Sequence, residues 1–212
     1  MLSFDIHNNK TYSRIIMYRL TLRHHVVDGY HIYLLYDDLG YMLANGIPSK
    51  DPVEALNFLK LTSPVKLSKK LLNRANRIHS CKTASYRHAN GIVRLFLGED
   101  VRMKFRVRFT RLRLRYIATL RTLRLIPRGK VTTYSELALY MDLKSPRVAA
   151  KALAMNPFPL VFPCHRVVRK DGGLGGYLDG REYVNIKAEI LRREGVKVVN
   201  NMVPKEYIIE LY

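Results

Sequence analysis

Short hydrophobic patterns of period two mark the first half of the chain. Tyr30–Tyr36 is rich in aromatic and aliphatic residues and is followed by two aspartates, which predicts a strand. A second short strand around Tyr41–Leu43 is placed to pair with it. Apolar residues alternate with arginine and lysine over Val101–Phe109, so this stretch predicts a strand with one apolar and one basic face.

Helical spacing appears between these strands. Asp51 before Pro52, followed by apolar residues three positions apart, predicts a helix with Asp51 as its N-cap. A further helix is predicted by four positions at helical spacing that leave Lys and Arg on the other face, namely Leu67, Leu71, Leu72 and Ala75. The patterns together predict a small α+β domain, a short antiparallel sheet with helices, over residues 1–108.

The pattern becomes helical after Phe109. One helix is predicted over Leu112–Leu123, before the Pro at 127, and Val131–Thr133 then leads into a helix over 135–141. Ser145 is placed to cap a last helix over Pro146–Met155. Residues 109–212 are therefore predicted to form a mostly helical second domain.

Two short helices joined by a tight turn in a basic chain are typical of a helix-turn-helix. An ordinary αα-hairpin of the core would show the same pattern, so the helices alone favour neither. The second helix carries little side-chain bulk at four positions, which are Ala149, Ala150, Ala152 and Ala154.

Hydrophobic content and net charge indicate a folded chain and the kind of molecule it binds. Hydrophobic residues make up 48% of the 212, which excludes a disordered chain and allows a substantial core. Lys and Arg number 37 against 17 acidic residues, a formal net charge of +20. Such a charge favours a polyanion, nucleic acid before an anionic membrane surface, although a generically basic surface stays possible.

The cysteine count indicates a reducing, intracellular location. Two cysteines, Cys81 and Cys164, do not make a secreted disulfide framework. We find no pattern of a signal peptide at the start and no apolar run of about 18 residues, so neither secretion nor a membrane partner is expected. His7, His24, His25, His31 and Cys81 show no ligand spacing, so we expect no metal; nor do we expect a cofactor or an oligomer.

Cys164 has the surroundings of a reactive thiol. It stands between Pro163 and His165 in an apolar segment that begins with Asn156-Pro-Phe-Pro. The thiolate is the nucleophilic form of cysteine, and a neighbouring His is a common means of producing it. A lone cysteine is more often a buried, inert thiol, and the segment has to be weighed against that alternative.

Pro163-Cys-His-Arg-Val167, preceded by Asn156-Pro-x-Pro, resembles the active-site signature of the O6-alkylguanine-DNA alkyltransferases. Similar motifs occur in the family's order across residues 109–196, namely Ile126-Pro-x-Gly-x-Val-x-Thr-Tyr134, Arg147 with the small residues after it, Gly172-Gly-Leu-Gly-Gly-Tyr177, and Lys187 with Leu191, Glu194 and Gly195. The resemblance implies a DNA-repair protein that moves an alkyl group from guanine onto its own cysteine. Because a thioether is stable, each molecule would act once.

The resemblance also implies a role for each catalytic residue. Cys164 would accept the alkyl group and His165 would draw off its proton through a bridging water. Glu194 would accept the other imidazole N–H, and Tyr134 would donate to a ring nitrogen of the leaving guanine. Asn156 would brace the turn that carries the cysteine. From the residues alone, a solvated carboxylate near a helix end is the better interpretation of Glu194, and Tyr134 is also explained by packing in the core.

Double-stranded DNA containing O6-alkylguanine is the partner that the resemblance implies. The target base must leave the stack, and Arg147 would fill the gap, although a plain phosphate contact explains an arginine there equally well. Tyr177 would pack over the alkyl group, unless the glycines before it mark only a hairpin. The residues expected to contact DNA or the base are Arg147, Ala149, Ala150, Lys151, Arg166 and Tyr177.

Three other functions compete with this interpretation. A non-catalytic relative that binds alkylated DNA would lack the acceptor, whereas Cys164 is present. A helix-turn-helix regulator would leave the Pro-Cys-His-Arg run without a purpose. A cysteine hydrolase normally takes its base from a distant part of the chain.

Overall fold

The computed structural model describes residues 19–73, 76–77, 83–178 and 180–211. The strands are β1 Thr21–Val27, β2 Tyr30–Tyr36, β3 Met42–Asn45, β4 Asn76–Arg77, β5 Thr132–Thr133 and β6 Val167–Val168. The helices are α1 Pro52–Thr62, α2 Lys69–Asn73, α3 Ala84–Phe96, α4 Leu114–Thr122, α5 Tyr134–Tyr140, α6 Pro146–Ala154 and α7 Val184–Arg193. Short 3₁₀ turns occupy Leu123–Leu125, Cys164–Arg166 and Lys205–Tyr207.

A four-stranded sheet in the order β3-β2-β1-β4 forms the first half. β1 and β2 pair antiparallel from Thr21 opposite Tyr36 to Val27 opposite Tyr30. β3 adds antiparallel to β2, and β4 adds parallel to β1. The predicted strand at Tyr30–Tyr36 is confirmed, and the strand expected around residue 42 is confirmed as β3.

The helix predicted to begin behind Asp51 is also confirmed. The Asp51 carboxylate accepts a hydrogen bond from the Val53 N–H at 2.9 Å, and Pro52 opens the first turn of α1. The second predicted helix is shorter than expected, because α2 covers only Lys69–Asn73. Ala75, which belonged to its apolar pattern, lies outside the described residues.

The strand predicted over residues 101–109 is wrong. Only Val107 bridges a strand, and it does so at Met42, the first residue of the four-residue β3. The alternating burial is nevertheless present, because Phe105 and Val107 pack against the main core while Arg102 and Lys104 are exposed. This segment is therefore an extended connection laid over α3, since β3 is too short to extend the ladder.

α4, α5 and α6 pack together in the second half. Thr133 caps α5, with its hydroxyl accepting from the Glu136 N–H at 3.0 Å. Ser145 occupies the predicted N-cap position of α6, but its side chain makes no capping hydrogen bond. Pro146 starts α6, as predicted. Whether α5 and α6 act as a helix-turn-helix stays a prediction.

Contacts between the two halves hold the segment that precedes the cysteine. Asn45 donates from its backbone to the Pro157 carbonyl and from its side chain to the Pro159 carbonyl, both at 3.0 Å. Within the second half, the Phe109 ring also packs on this segment, 5.2 Å from the rings of Phe158 and Phe162, measured between centroids. The α+β class is confirmed, and the domain division at 108/109 stays a prediction.

Candidate active site

Cys164 begins a 3₁₀ turn directly before the short strand β6. Cys164 is 7% exposed and belongs to the main core, together with Phe162 and Tyr177. Burial raises the pKa of the thiol, while the hydrogen bond from Asn156 and the charge of Lys187 act in the opposite direction. The thiol is therefore protonated at rest and needs a base to become nucleophilic.

Asn156 ties the preceding loop into one rigid turn. Its side-chain amide donates to the Phe162 carbonyl at 2.8 Å and to Cys164 Sγ at 3.2 Å. Its Oδ1 accepts from the Phe158 N–H at 3.0 Å. Since the Asn156 residue is 5% exposed, these bonds satisfy groups that water hardly reaches. The predicted contacts of Asn156 with the cysteine-bearing turn are present.

His165 and Glu194 meet across the site, as the sequence predicts. His165 Nε2 lies 3.0 Å from Glu194 Oε1, and both side chains are almost fully buried. Burial lowers the pKa of His165 against the opposing effect of Glu194, so the imidazole is neutral at rest. Because a carboxylate only accepts, Nε2 carries the proton, which leaves the Nδ1 lone pair free. Within the described residues Nδ1 has no hydrogen-bond partner.

Arg166 is not placed to bind DNA, which corrects the expectation from the sequence. Its Nε and Nη2 donate to the two oxygens of Glu194 at 2.8 and 2.7 Å, and Nη1 donates to the Ile126 carbonyl at 2.8 Å. All three nitrogens are thus directed inward. Burial would raise the pKa of Glu194, but His165 and Arg166 outweigh it and lower the pKa to about 2.

Two tyrosines border the thiol. Burial, with a smaller effect of Cys164, raises the pKa of Tyr134 to about 12, so its hydroxyl keeps its proton. Burial also raises the pKa of Tyr177 well above its ordinary value, and the charges of Cys164 and Glu194 act in the same direction. Tyr177 is 4% exposed and is packed in the same core as the cysteine.

The burial of Lys187 was not predicted from the sequence. There, Lys187 was named only as part of the motif that includes Leu191 and Glu194. It is fully buried and its ammonium donates to the carbonyls of Val167, at 2.7 Å, and Leu174. Burial lowers its pKa to about 8 while Cys164 raises it. The signal available in the sequence was its place on the face of α7 that also carries Leu191 and Glu194.

A cavity of about 590 Å³ is lined by Tyr134, one of the two tyrosines whose pKa Cys164 affects. Tyr134, Arg147 and Ala150 line it on one side, and the glycine-rich loop lines it on the other through Gly175 and Gly176. Cys164 is buried and is not part of the lining. The cavity is therefore a groove between α6 and the loop.

The other residues expected to contact DNA are divided between the surface and the core. Arg147 and Lys151 are exposed on α6. Ala149 does not share that face, because it is fully buried and packs in the main core. The small residues of α6 therefore serve helix packing at 149 and 152, and leave Ala150 at the groove.

The described parts of the chain hold neither a cluster of metal ligands nor a helix that could span a membrane. No group of three potential His, Cys, Asp or Glu ligands occurs there. His7 and Cys81, which the sequence argument considered, lie outside the described residues. None of the described helices has the length and apolar character of a membrane span.

Part of the second half matches a family model and curated relatives. Residues 116–196 match the family model "6-O-methylguanine DNA methyltransferase, DNA binding domain". A methylated-DNA–protein-cysteine methyltransferase of Methanothermobacter thermautotrophicus is 55% identical over 73 residues, 34% of this chain and 39% of that protein. One of Thermococcus barophilus is 49% identical over 72 residues, 34% of this chain and 38% of that protein. The match thus spans about two-fifths of these relatives' length.

Solved structures resemble this fold over most of the chain. An O6-methylguanine-DNA methyltransferase of Pyrococcus kodakaraensis covers 84% of this chain and 99% of its own, with 24% identity and a TM-score of 0.56. An O6-methylguanine methyltransferase of Mycobacterium tuberculosis covers 82% and 92%, with 18% identity and a TM-score of 0.57. At these identities the likeness concerns the fold. Residues 116–196, where every site residue predicted from the sequence lies, are similar to the DNA-binding domain of the 6-O-methylguanine DNA methyltransferases.

Proposed function

We propose that this protein repairs DNA by moving the alkyl group of O6-alkylguanine onto Cys164. The observation that carries the proposal is the hydrogen-bonded group around the thiol. Asn156 contacts Sγ, and His165 next to it is neutral, buried and oriented by Glu194. A structural cysteine needs none of these partners.

The reaction is a displacement at the alkyl carbon. The bond from Sγ to carbon forms while the bond from that carbon to O6 breaks. The thiol loses its proton to the base, and the guanine leaves with the electron pair of the broken bond and takes up a proton. The alkyl group moves from O6 to sulfur and the thiol proton is released to the base and solvent, which return one proton to guanine, so the balance needs no cofactor.

His165 is the base of this scheme. Adjacent side chains rarely face each other, so the thiol proton passes to Nδ1 through a bridging water. The imidazolium that forms is stabilised by Glu194, whose pKa of about 2 keeps it charged throughout the working range. Arg166 holds that carboxylate in place through two hydrogen bonds.

Tyr134 donates to the leaving base in this scheme. Negative charge develops on guanine as the bond breaks, and a donor aimed at a ring nitrogen lowers the barrier. A pKa of about 12 means that the hydroxyl is protonated and able to donate at neutral pH. Tyr134 also lines the groove, which supports a contact with an incoming base.

Duplex DNA binds along the groove between α6 and the glycine-rich loop in this proposal. The reacting atom lies inside the base stack, so the nucleotide has to be flipped out, and Arg147 enters the gap. Lys151 contacts a phosphate from the exposed face of α6, and Tyr177 packs on the alkyl group. The net charge of +20 suits a partner whose affinity comes mostly from phosphates.

The thioether product is stable, so each molecule acts once and is consumed. A free thiol of this kind requires a reducing compartment, which supports an intracellular location with access to DNA. We infer that the protein acts as a monomer, because all the residues of the proposed reaction come from one chain.

Intact mass after incubation with duplex DNA containing O6-methylguanine tests the proposal. The wild-type chain gains one methyl group, and Cys164→Ser gains none. An unmodified wild-type chain that binds the lesion would indicate a non-catalytic DNA-binding protein. Binding to undamaged DNA with no preference for the lesion would instead favour a helix-turn-helix regulator.

A further inference from the structure

The C-terminal segment 197–211 lies beyond the matched family domain and contacts two separate parts of the site. It begins with a tight turn in which Val199 and Met202 exchange backbone hydrogen bonds at 3.0 and 2.8 Å. Asn200 and Asn201 at the tip have φ of 48° and 59°, which most side chains avoid and asparagine tolerates.

The first contact is with the glycine-rich loop. The Leu174 N–H donates to the Asn201 carbonyl at 3.0 Å, and the Val203 N–H donates to the Gly172 carbonyl at 2.9 Å. A Cβ at Gly172 would come within 2.6 Å of the Val203 carbonyl oxygen, so this close approach requires glycine. The Leu174 carbonyl in turn accepts from the buried Lys187.

The second contact is with the strand that leads to Tyr134. The Val131 N–H donates to the Tyr207 carbonyl and the Ile209 N–H donates to the Val131 carbonyl, both at 2.8 Å. The Thr132 hydroxyl donates to the Ile209 carbonyl at 2.9 Å. Tyr134 is two residues further on, at the start of α5.

An apolar cluster joins the two contacts. Val198 and Val203 of the segment pack with Val131, directly before β5, and with Leu174 of the loop, and all four are buried. Asn201 also lines the groove, on the same cavity as Tyr134 and Arg147. The segment therefore bridges the two walls between which the base is proposed to enter.

We propose that residues 197–211 form a C-terminal clasp that positions the glycine-rich loop relative to Tyr134 and so sets the geometry of alkyl transfer. This rests on the function proposed above. The clasp residues touch neither sulfur nor base in the reaction; they are positioning residues, and their effect passes through the Leu174 N–H and through the strand before Tyr134.

Substitution at the tip of the clasp tests this. Asn200→Ala with Asn201→Ala places two residues that disfavour positive φ in the turn, which weakens the turn roughly tenfold for each residue. Asn200→Gly with Asn201→Gly permits the conformation. Asp28→Ala is the matched control, because Asp28 also has a positive φ of 49°, in the distant β1–β2 turn.

Two readouts are compared, the rate of methyl transfer at saturating lesion DNA and amide hydrogen exchange. The Ala pair should transfer at least tenfold more slowly and exchange faster at Leu174 and at Ile209. The Gly pair should restore both, and Asp28→Ala should change neither, although it introduces the same unfavourable φ at one position.

Equal transfer rates for the Ala pair and the wild-type chain would overturn the clasp, as would a Gly pair as slow as the Ala pair. Wild-type protein that gains no methyl group would reject the proposed function instead. In that case faster exchange at Leu174 in the Ala pair still shows whether the turn holds the loop.

Discussion

Removal of the negative charge of Glu194 is the sharpest perturbation of the site. Glu194→Gln keeps the shape of the side chain and one carbonyl oxygen to accept a hydrogen bond. It leaves Arg166 without a counter-charge at a position where only 12% of that side chain is exposed. It also removes the charge that would stabilise a protonated His165.

The size of the effect follows from the pKa of Glu194. Its fall from 4.5 to about 2 corresponds to about 3 kcal/mol of stability at neutral pH, at about 1.4 kcal/mol per unit. A depressed carboxyl pKa gives stability that is fully present above about 4.5 and is lost as pH falls toward 2. By pH 3 more than half of the contribution should be gone.

Chemical denaturation of wild type and Glu194→Gln at pH 7 and at pH 3 measures this difference. The free energy of unfolding should differ by about 3 kcal/mol at pH 7 and by less than half of that at pH 3. Transfer at pH 7 should slow by about 100-fold, if the same interaction supports the imidazolium. Glu189→Gln is the control, because Glu189 is half exposed and its pair with Arg193 contributes less than about 1 kcal/mol. A difference in stability that stays constant between the two pH values would refute the reasoning.

Two other substitutions test the thiol and the groove independently of each other. Asn156→Ala removes the hydrogen bond that lowers the thiol pKa, so the pH midpoint of Cys164 alkylation by iodoacetamide should rise; an unchanged or lower midpoint would contradict the geometry. Arg147→Ala should slow transfer from duplex DNA at least tenfold more than transfer from a free alkylguanine, and equal losses on both substrates would remove its role in base flipping.

The first half shows which strands a hydrophobic pattern can predict and which it cannot. Tyr30–Tyr36 was predicted with its observed bounds, because a run of aromatic and aliphatic residues bounded by aspartates has few other uses. β1 was missed, since His24 and His25 are polar residues that only the packed sheet buries. The alternation over Val101–Phe109 correctly separated an inner from an outer face. Whether such a segment joins a sheet depends on a free partner edge, which no local pattern specifies.

The site divides in the same way. The sequence by itself determined that His165 stands next to the thiol, because the two residues are adjacent in a specific motif. Only the tertiary structure showed that Arg166 turns inward to Glu194, that Ala149 is buried, and that the Lys187 ammonium is held by two carbonyls. These are questions of direction and burial, and they depend on which face of an element meets the core. The spacing of a motif indicates which residues take part in a reaction, whereas the packing of distant segments determines the orientation of their side chains.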